Sequence, residues 1–286
     1  MVLTRRSALA CAGLLAGCSS LDTLNGVNKL VPGDGGVAKV GEGLPFGADA
    51  RQRLDVYAPR RAADLPVIVF FYGGSWASGS RGDYGFAARA LAAQGFVVVV
   101  PDYRLVPQVR FPAFVEDGAA ATAWTAANIG QFGGDAGRIA VAGHSAGAYI
   151  AAMLALDPRW LAATPGVIKA AVGLAGPYDF APFVPGGAAD RAFGAAADVA
   201  ATQPINFVRG DAPPLLLLTG ADDDTVQPRN SRALAAKVTA RGGDARLIEY
   251  PGTGHIGIVL ALSKPFRGKA PVVGDMARFL NGVLAR

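Results

Sequence analysis

The chain has 286 residues, of which 51% are hydrophobic and 17% charged, and its formal net charge is +5. That composition supplies a large core and excludes wholesale disorder. The small positive balance carries no clustered Lys/Arg stripe, which excludes a nucleic-acid-binding footprint.

At the start of the chain, Arg5 and Arg6 precede an apolar stretch from Ala8 to Gly17, and Cys18 follows. The stretch is shorter than the roughly 20 apolar residues that span a bilayer, and its order is that of a signal peptide. Leu15-Ala16-Gly17-Cys18 resembles a bacterial lipobox, which implies cleavage before Cys18 and acylation of that cysteine. Residues 1–17 are therefore expected to be a lipoprotein signal peptide. Residues 18–36, with NGVNKLVPGDGG, are expected to be a flexible tether to a membrane. Loss of Arg5 and Arg6 takes the net charge from +5 to +3. Residues 37–286 then hold no cysteine for a disulfide, a thiolate nucleophile or a metal site, and no cofactor is implied. The expected location is the bacterial cell envelope, lipid-anchored, in the periplasm or at the outer membrane.

From residue 37 the chain alternates strand-like and helix-like segments. RLDVYAP (53–59) reads as an early strand and PVIVFFYGG (66–74) as a fully buried one. YGFAARALAAQG (84–95) reads as a helix stopped by Gly95, and FVVVVPDYRL (96–105) as a continuous apolar strand. A helix follows Pro112, then strand RIAVAGHS (138–145) and the small-residue helix AGAYIAAMLALD (146–157). Further strands are expected at 168–176, 213–224 and 245–252, with helices at 231–243 and from Val272 to the end. Uninterrupted Val/Ile/Leu strands separated by helices predict a mainly parallel sheet covered on both faces. Chemistry in such sheets sits at the carboxyl ends of the strands.

Gly143-His144-Ser145-Ala146-Gly147 fits G-x-S-x-G at a strand-to-helix turn, the place where that motif holds a nucleophilic serine. A hydroxyl needs an adjacent base. Only two histidines exist: His144 lies inside the elbow beside the serine, and His255 follows the last strand in a Gly-rich loop. His255 is therefore the expected base. Three aspartates, Asp222, Asp223 and Asp224, end the strand at 213–220, and a carboxylate there would orient the imidazole. The order serine, acid, histidine separates this arrangement from those of chymotrypsin and subtilisin. Acyl transfer also needs backbone N–H donors aimed at an oxyanion. Ala146 is one expected donor, and the loop after strand 66–74 supplies the rest, with Gly73 and Gly74 read as keeping side chains out of the path of the substrate carbonyl.

With these residues in view, the chain from about residue 37 onward resembles the α/β-hydrolases. It is most similar to the branch of hormone-sensitive lipases, bifunctional feruloyl and acetyl-xylan esterases, and kynurenine formamidases. The matching motifs are Gly73-Gly74-Ser75-Trp76, Asp102-Tyr103-Arg104-Leu105, Phe132-Gly133-Gly134-Asp135, and Gly220 to Val226 with Asp223 at the acidic position. The resemblance implies a mostly parallel eight-stranded sheet with at most a small cap. It implies a triad of Ser145, Asp223 and His255, with Gly74, Ser75 and Ala146 forming the oxyanion hole. Tyr72 stands where those families carry a histidine that helps hold the oxyanion loop. Tyr72, Gly73 and Trp76 are expected substrate neighbours, and Tyr103, Phe111, Phe180 and Phe183 are further pocket candidates. The implied activity is a serine carboxylesterase acting on short-chain or aryl esters, without metal or cofactor. An arylformamidase with the same triad is the alternative within enzymes, and a non-catalytic envelope lipoprotein using the fold for binding is the alternative outside them.

Overall fold

A computed structural model describes residues 34–285. The proposed signal peptide, Cys18 and most of the tether lie outside these residues. The end of that tether segment is docked rather than loose: Asp34 pairs with both terminal nitrogens of Arg267 at 3.0 Å, and the Gly36 carbonyl accepts the Arg60 N–H.

Eight strands form one sheet in the order β1-β2-β4-β3-β5-β6-β7-β8. They are β1 (Val37–Pro45), β2 (Arg53–Pro59), β3 (Leu65–Phe71), β4 (Val97–Pro101), β5 (Gly134–His144), β6 (Ile168–Leu174), β7 (Leu215–Gly220) and β8 (Ala245–Tyr250). β1 and β2 run antiparallel to their neighbours, and β4, β3 and β5 to β8 are parallel. The helices are α1 (Gly85–Ala92), α2 (Ala113–Asn128), α3 (Ala146–Leu156), α4 (Ala188–Phe193), α5 (Arg229–Ala240), α6 (His255–Leu260) and α7 (Val272–Val283). This is the α/β-hydrolase fold. β4 and β7 are buried along their whole length and β3 in all but its first residue, without alternation, because helices cover both faces of the sheet. Among the described residues no helix is long and apolar enough to cross a membrane.

Two departures from the sequence-based expectation have physical reasons, and the expected small cap is present. β1 has no buried-strand signature: only Gly41 is buried, the rest being half-buried or exposed, and its register against β2 slips twice. The strand expected over 96–105 stops at Pro101: Asp102 still donates its N–H to the Arg53 carbonyl, but its carboxylate binds Arg81, and Arg104 turns to Asp117. The segment between β6 and β7 is a small cap of the short α4 and two single-turn 3-10 helices. The carboxyl ends of β3, β5, β7 and β8 share one edge and carry every residue of the expected triad and oxyanion hole.

Candidate active site

Ser145 joins β5 to α3 with φ 54° and ψ −120°, a strained backbone for a residue with a side chain. Its N–H donates to the Leu174 carbonyl at 2.9 Å, which ties the turn to β6. The flanking glycines allow backbone to rest on backbone. A Cβ on Gly143 would run into the Gly147 main chain, and one on Gly147 into the carbonyls of Phe71 and Tyr72.

Of the three clustered aspartates only Asp223 is buried; Asp222 and Asp224 are exposed. Its Oδ1 accepts the N–H groups of Thr225 at 3.0 Å and Val226 at 2.8 Å, which aims Oδ2 at His255 Nδ1, 2.8 Å away. His255 Nε2 lies 2.9 Å from Ser145 Oγ. An ionised carboxylate can only accept, so Nδ1 carries the imidazole proton and the Nε2 lone pair faces the serine hydroxyl. A hydroxyl so placed can give its proton to the ring, and the carboxylate can stabilise the resulting cation. The expectation of a loop around His255 needs correction. It is the first residue of α6, with Gly254 as the extended N-cap, so the ring is carried by a helix start.

The loop after β3 completes the surroundings. Gly74, Ser75 and Trp76 all have positive φ, at 140°, 53° and 58°. The N–H groups of Gly74, Ser75 and Ala146 have no acceptor among the described residues, and these three residues line the cavities beside Ser145. Preorganised, unpaired amides are what a developing oxyanion requires. The reason for the two glycines differs from the expected one. A Cβ on Gly73 would meet His144 Nδ1 at 2.9 Å and the Tyr84 hydroxyl at 3.0 Å, while one on Gly74 would collide with the Ser78 carbonyl. They are glycines so that the loop can fold on the elbow and on itself, and clearance for a substrate plays no part in either contact.

Tyr72 does not line the site, contrary to its expected place among the substrate neighbours. It is fully buried under the loop, its ring stacked on Tyr103 with centroids 4.5 Å apart. Its hydroxyl accepts Arg51 Nη2 at 2.8 Å, and the Tyr103 hydroxyl donates to the Tyr72 carbonyl at 2.9 Å. Burial and the nearby Asp102 carboxylate push the Tyr72 phenol well above its ordinary range, so it stays neutral. Arg51 also binds the carbonyls of Tyr103 and Gly79. Arg81 joins the same brace by pairing with the buried carboxylates of Asp55 and Asp102. The Asp-Tyr-Arg-Leu motif is thus scaffolding: Asp102 holds Arg81, and Arg104 grips Asp117. Nothing in local sequence marks Arg51 or Arg81 for this work, because their partners are 21 to 52 residues away.

Two cavities meet at Ser145. One, of about 280 Å³, is lined by Trp76, Pro177, Phe180, Pro182, Phe183, Val184 and Val226 among others. No charged side chain lines it. The other, of about 220 Å³, is more polar and is lined by Gly73, Gly74, Ser78, Tyr84, His144, Thr225 and His255 among others. Of the aromatic candidates, Trp76, Phe180 and Phe183 reach the apolar cavity. Tyr103 is buried under the loop, and Phe111 packs against Phe114, Trp160 and Phe193 instead.

Known proteins are similar to this chain. Esterase LipC of Mycobacterium tuberculosis is 34% identical over 264 residues, an alignment covering 83% of this chain and 64% of LipC. Isoprenylcysteine alpha-carbonyl methylesterase ICME of Arabidopsis thaliana is 29% identical over 80% of this chain and 59% of its own length. The chain thus spans about three fifths of the length of these relatives. Among solved structures, esterase B from Lactobacillus rhamnosis superposes with a TM-score of 0.80 at 22% identity, covering 97% of this chain and 94% of that one. A hyperthermophilic esterase from Pyrobaculum calidifontis gives a TM-score of 0.72 at 26% identity, covering 92% and 90%. The BD-FAE family model matches residues 54–238, from the start of β2 through the serine elbow and Asp223 into α5. With well over half of its length matched, and with the fold and elbow described above, this chain belongs to the BD-FAE family of α/β-hydrolases.

Proposed function

We propose that the protein is a serine carboxylesterase with Ser145 as nucleophile, His255 as general base and acid, and Asp223 as the group that orients and stabilises the imidazole. The observation that carries this reading is the unbroken set of contacts from Asp223 Oδ2 through His255 to Ser145 Oγ, at 2.8 and 2.9 Å. It stands beside three amides without acceptors among the described residues. The esterases among its relatives support the same reading.

In this mechanism Ser145 Oγ bonds to the ester carbonyl carbon as its proton passes to His255 Nε2. The carbonyl oxygen becomes an oxyanion facing the N–H groups of Gly74, Ser75 and Ala146. The bond to the leaving oxygen then breaks, and the alcohol takes the proton from Nε2. Water repeats the sequence on the acyl-enzyme and frees the acid and Ser145. The leaving oxygen must come within reach of Nε2, and His255 lines the polar cavity but not the apolar one. The alcohol therefore belongs on the polar side and the acyl group among Trp76, Phe180 and Phe183. An uncharged short-chain or aryl acyl group suits that wall. Cys18 would hold the enzyme to an envelope membrane; full membrane partitioning of a Cys18→Ala form would overturn that part.

The test is turnover of p-nitrophenyl esters from acetate to laurate, beside N-formylkynurenine, with Ser145→Ala as control. Ester turnover is expected to fall by roughly four to six orders of magnitude in kcat in the variant. Faster turnover of the formamide than of any ester would replace the ester reading by arylformamide hydrolysis. Failure of the wild type to label with a fluorophosphonate would leave a binding lipoprotein.

A further inference from the structure

The nucleophile's chain neighbour, His144, has no part in the mechanism above, yet it is almost fully buried beside both moving parts of the site. Its Nε2 lies 3.0 Å from the main-chain carbonyl of His255, and its Nδ1 lies 2.9 Å from the hydroxyl of Tyr84. The rings of His144 and His255 are 4.9 Å apart. The contacts fix the tautomer. A carbonyl only accepts, so Nε2 carries the proton; Nδ1 must then accept, and Tyr84 donates to it. The Tyr84 oxygen also packs on Gly73 at the start of the oxyanion loop, where an added Cβ would come within 3.0 Å of it.

We propose that His144 is a positioning residue, a neutral strut that fixes the His255 main chain relative to the serine elbow and, through Tyr84, to the oxyanion loop. This rests on the serine-esterase reading. The three parts that must hold register during acyl transfer are the base, the nucleophile and the amide donors. They come from three separate loops, after β8, β5 and β3. The triad's own contacts join the base to the nucleophile through side chains that exchange protons in each turnover. The His144 contacts join the elbow to the His255 main-chain carbonyl and to the Tyr84 hydroxyl, and no proton needs to move along them. One imidazole can serve both loops because its two nitrogens point in opposite directions, one donating and one accepting.

The test compares His144→Leu, His144→Gln, Tyr84→Phe and the His144→Leu/Tyr84→Phe double variant in the full chain. Near-UV circular dichroism and thermal melting monitor the fold. Glutamine keeps one donor and one acceptor at nearly the imidazole spacing; leucine keeps only bulk. His144→Leu should lower kcat about tenfold or more with KM within about twofold, since ground-state binding does not use the strut. His144→Gln should recover kcat to within about threefold of wild type. The double variant should cost no more than the worse single change, because both remove one connected unit. In proton NMR, the downfield resonance of the His255 Nδ1–H facing Asp223 should persist in His144→Gln and broaden in His144→Leu. Should His144→Leu not fold, Tyr84→Phe decides the matter, since it removes one hydroxyl and keeps the ring. Wild-type kcat in the leucine or phenylalanine variant overturns the strut, as does a glutamine variant no better than leucine, or fully additive losses. Fluorophosphonate labelling of wild-type Ser145 separates these outcomes from failure of the esterase reading itself, in which case the wild type does not label.

Discussion

The two loops that bring the site together are braced in opposite ways. The elbow around Ser145 is held by missing side chains: Gly143 and Gly147 let α3 rest on the backbone of β3 and β5. The oxyanion loop after β3 is held by large side chains beneath it, namely Tyr72, Tyr103 and Tyr84 with Arg51 and Arg81. Backbone-on-backbone contact leaves no side chain to exchange, so the elbow has one solution. A brace of side chains has several, which explains how tyrosine can occupy position 72 where related families carry histidine. His144 is the point where the two systems touch.

The largest expected effect tests that junction through pH. Burial, followed by the neighbouring His255, lowers the His144 pKa from 6.5 to about 3. The unfolded chain therefore takes up this proton first as pH falls. The stabilisation is complete above pH 6.5 and is lost on the way down to about 3, by up to about 5 kcal/mol at 1.36 kcal/mol per unit. The groups facing His144 are Tyr84, held neutral by burial, and His255. The depressed carboxyls of Asp55, Asp135, Asp211 and Glu249 begin to contribute only near the ordinary values of 3.8 for aspartate and 4.5 for glutamate. Urea midpoints between pH 6.5 and 4.5 should fall in the wild type and stay flat in His144→Gln.

Next in size, Gly147→Ala should cost about 3 kcal/mol and remove most turnover, because its Cβ strikes the Phe71 and Tyr72 carbonyls. Helix propensity alone would favour alanine by about 1 kcal/mol, so a neutral result in chemical denaturation would refute the backbone-contact account of the elbow. Arg81→Leu takes the guanidinium partner from the buried carboxylates of Asp55 and Asp102. With Arg81 about a quarter exposed and Lys39 still paired to Asp55, the expected cost is about 2–3 kcal/mol, less than for a fully buried pair. Calorimetric melting measures it. Tyr72→Phe is the mildest break: it removes the acceptor of one Arg51 N–H and keeps the stack on Tyr103, for about 1 kcal/mol. A larger drop in kcat than in melting temperature would show that this hydroxyl sets the position of the oxyanion donors.

Much of this was legible before any coordinates. The parallel strands announce themselves because a strand buried on both faces must be apolar throughout, as Val97–Val100 and Leu215–Leu218 are. Ser145 and His255 are legible because the elbow motif names the first and a chain with two histidines leaves little choice for the second. Illegible were β1, whose exposed edge imposes no apolar pattern, and α6, whose Gly-rich start reads as loop. Gly73 and Gly74 were legible as points of close approach, but what approaches them was not.

By itself, then, the sequence determined the parallel part of the sheet, the strand ends that carry chemistry and the residue types available there. Those follow from local pattern and from the scarcity of histidine. Only the tertiary structure decided how Asp223 is buried and aimed while its two neighbours stay exposed, how Arg51 and Arg81 brace the oxyanion loop, and that His144 touches two segments of the site. Each of these depends on groups brought together from distant parts of the chain. Burial then makes each such contact obligatory, since a polar group left unpaired there costs more than the contact itself returns.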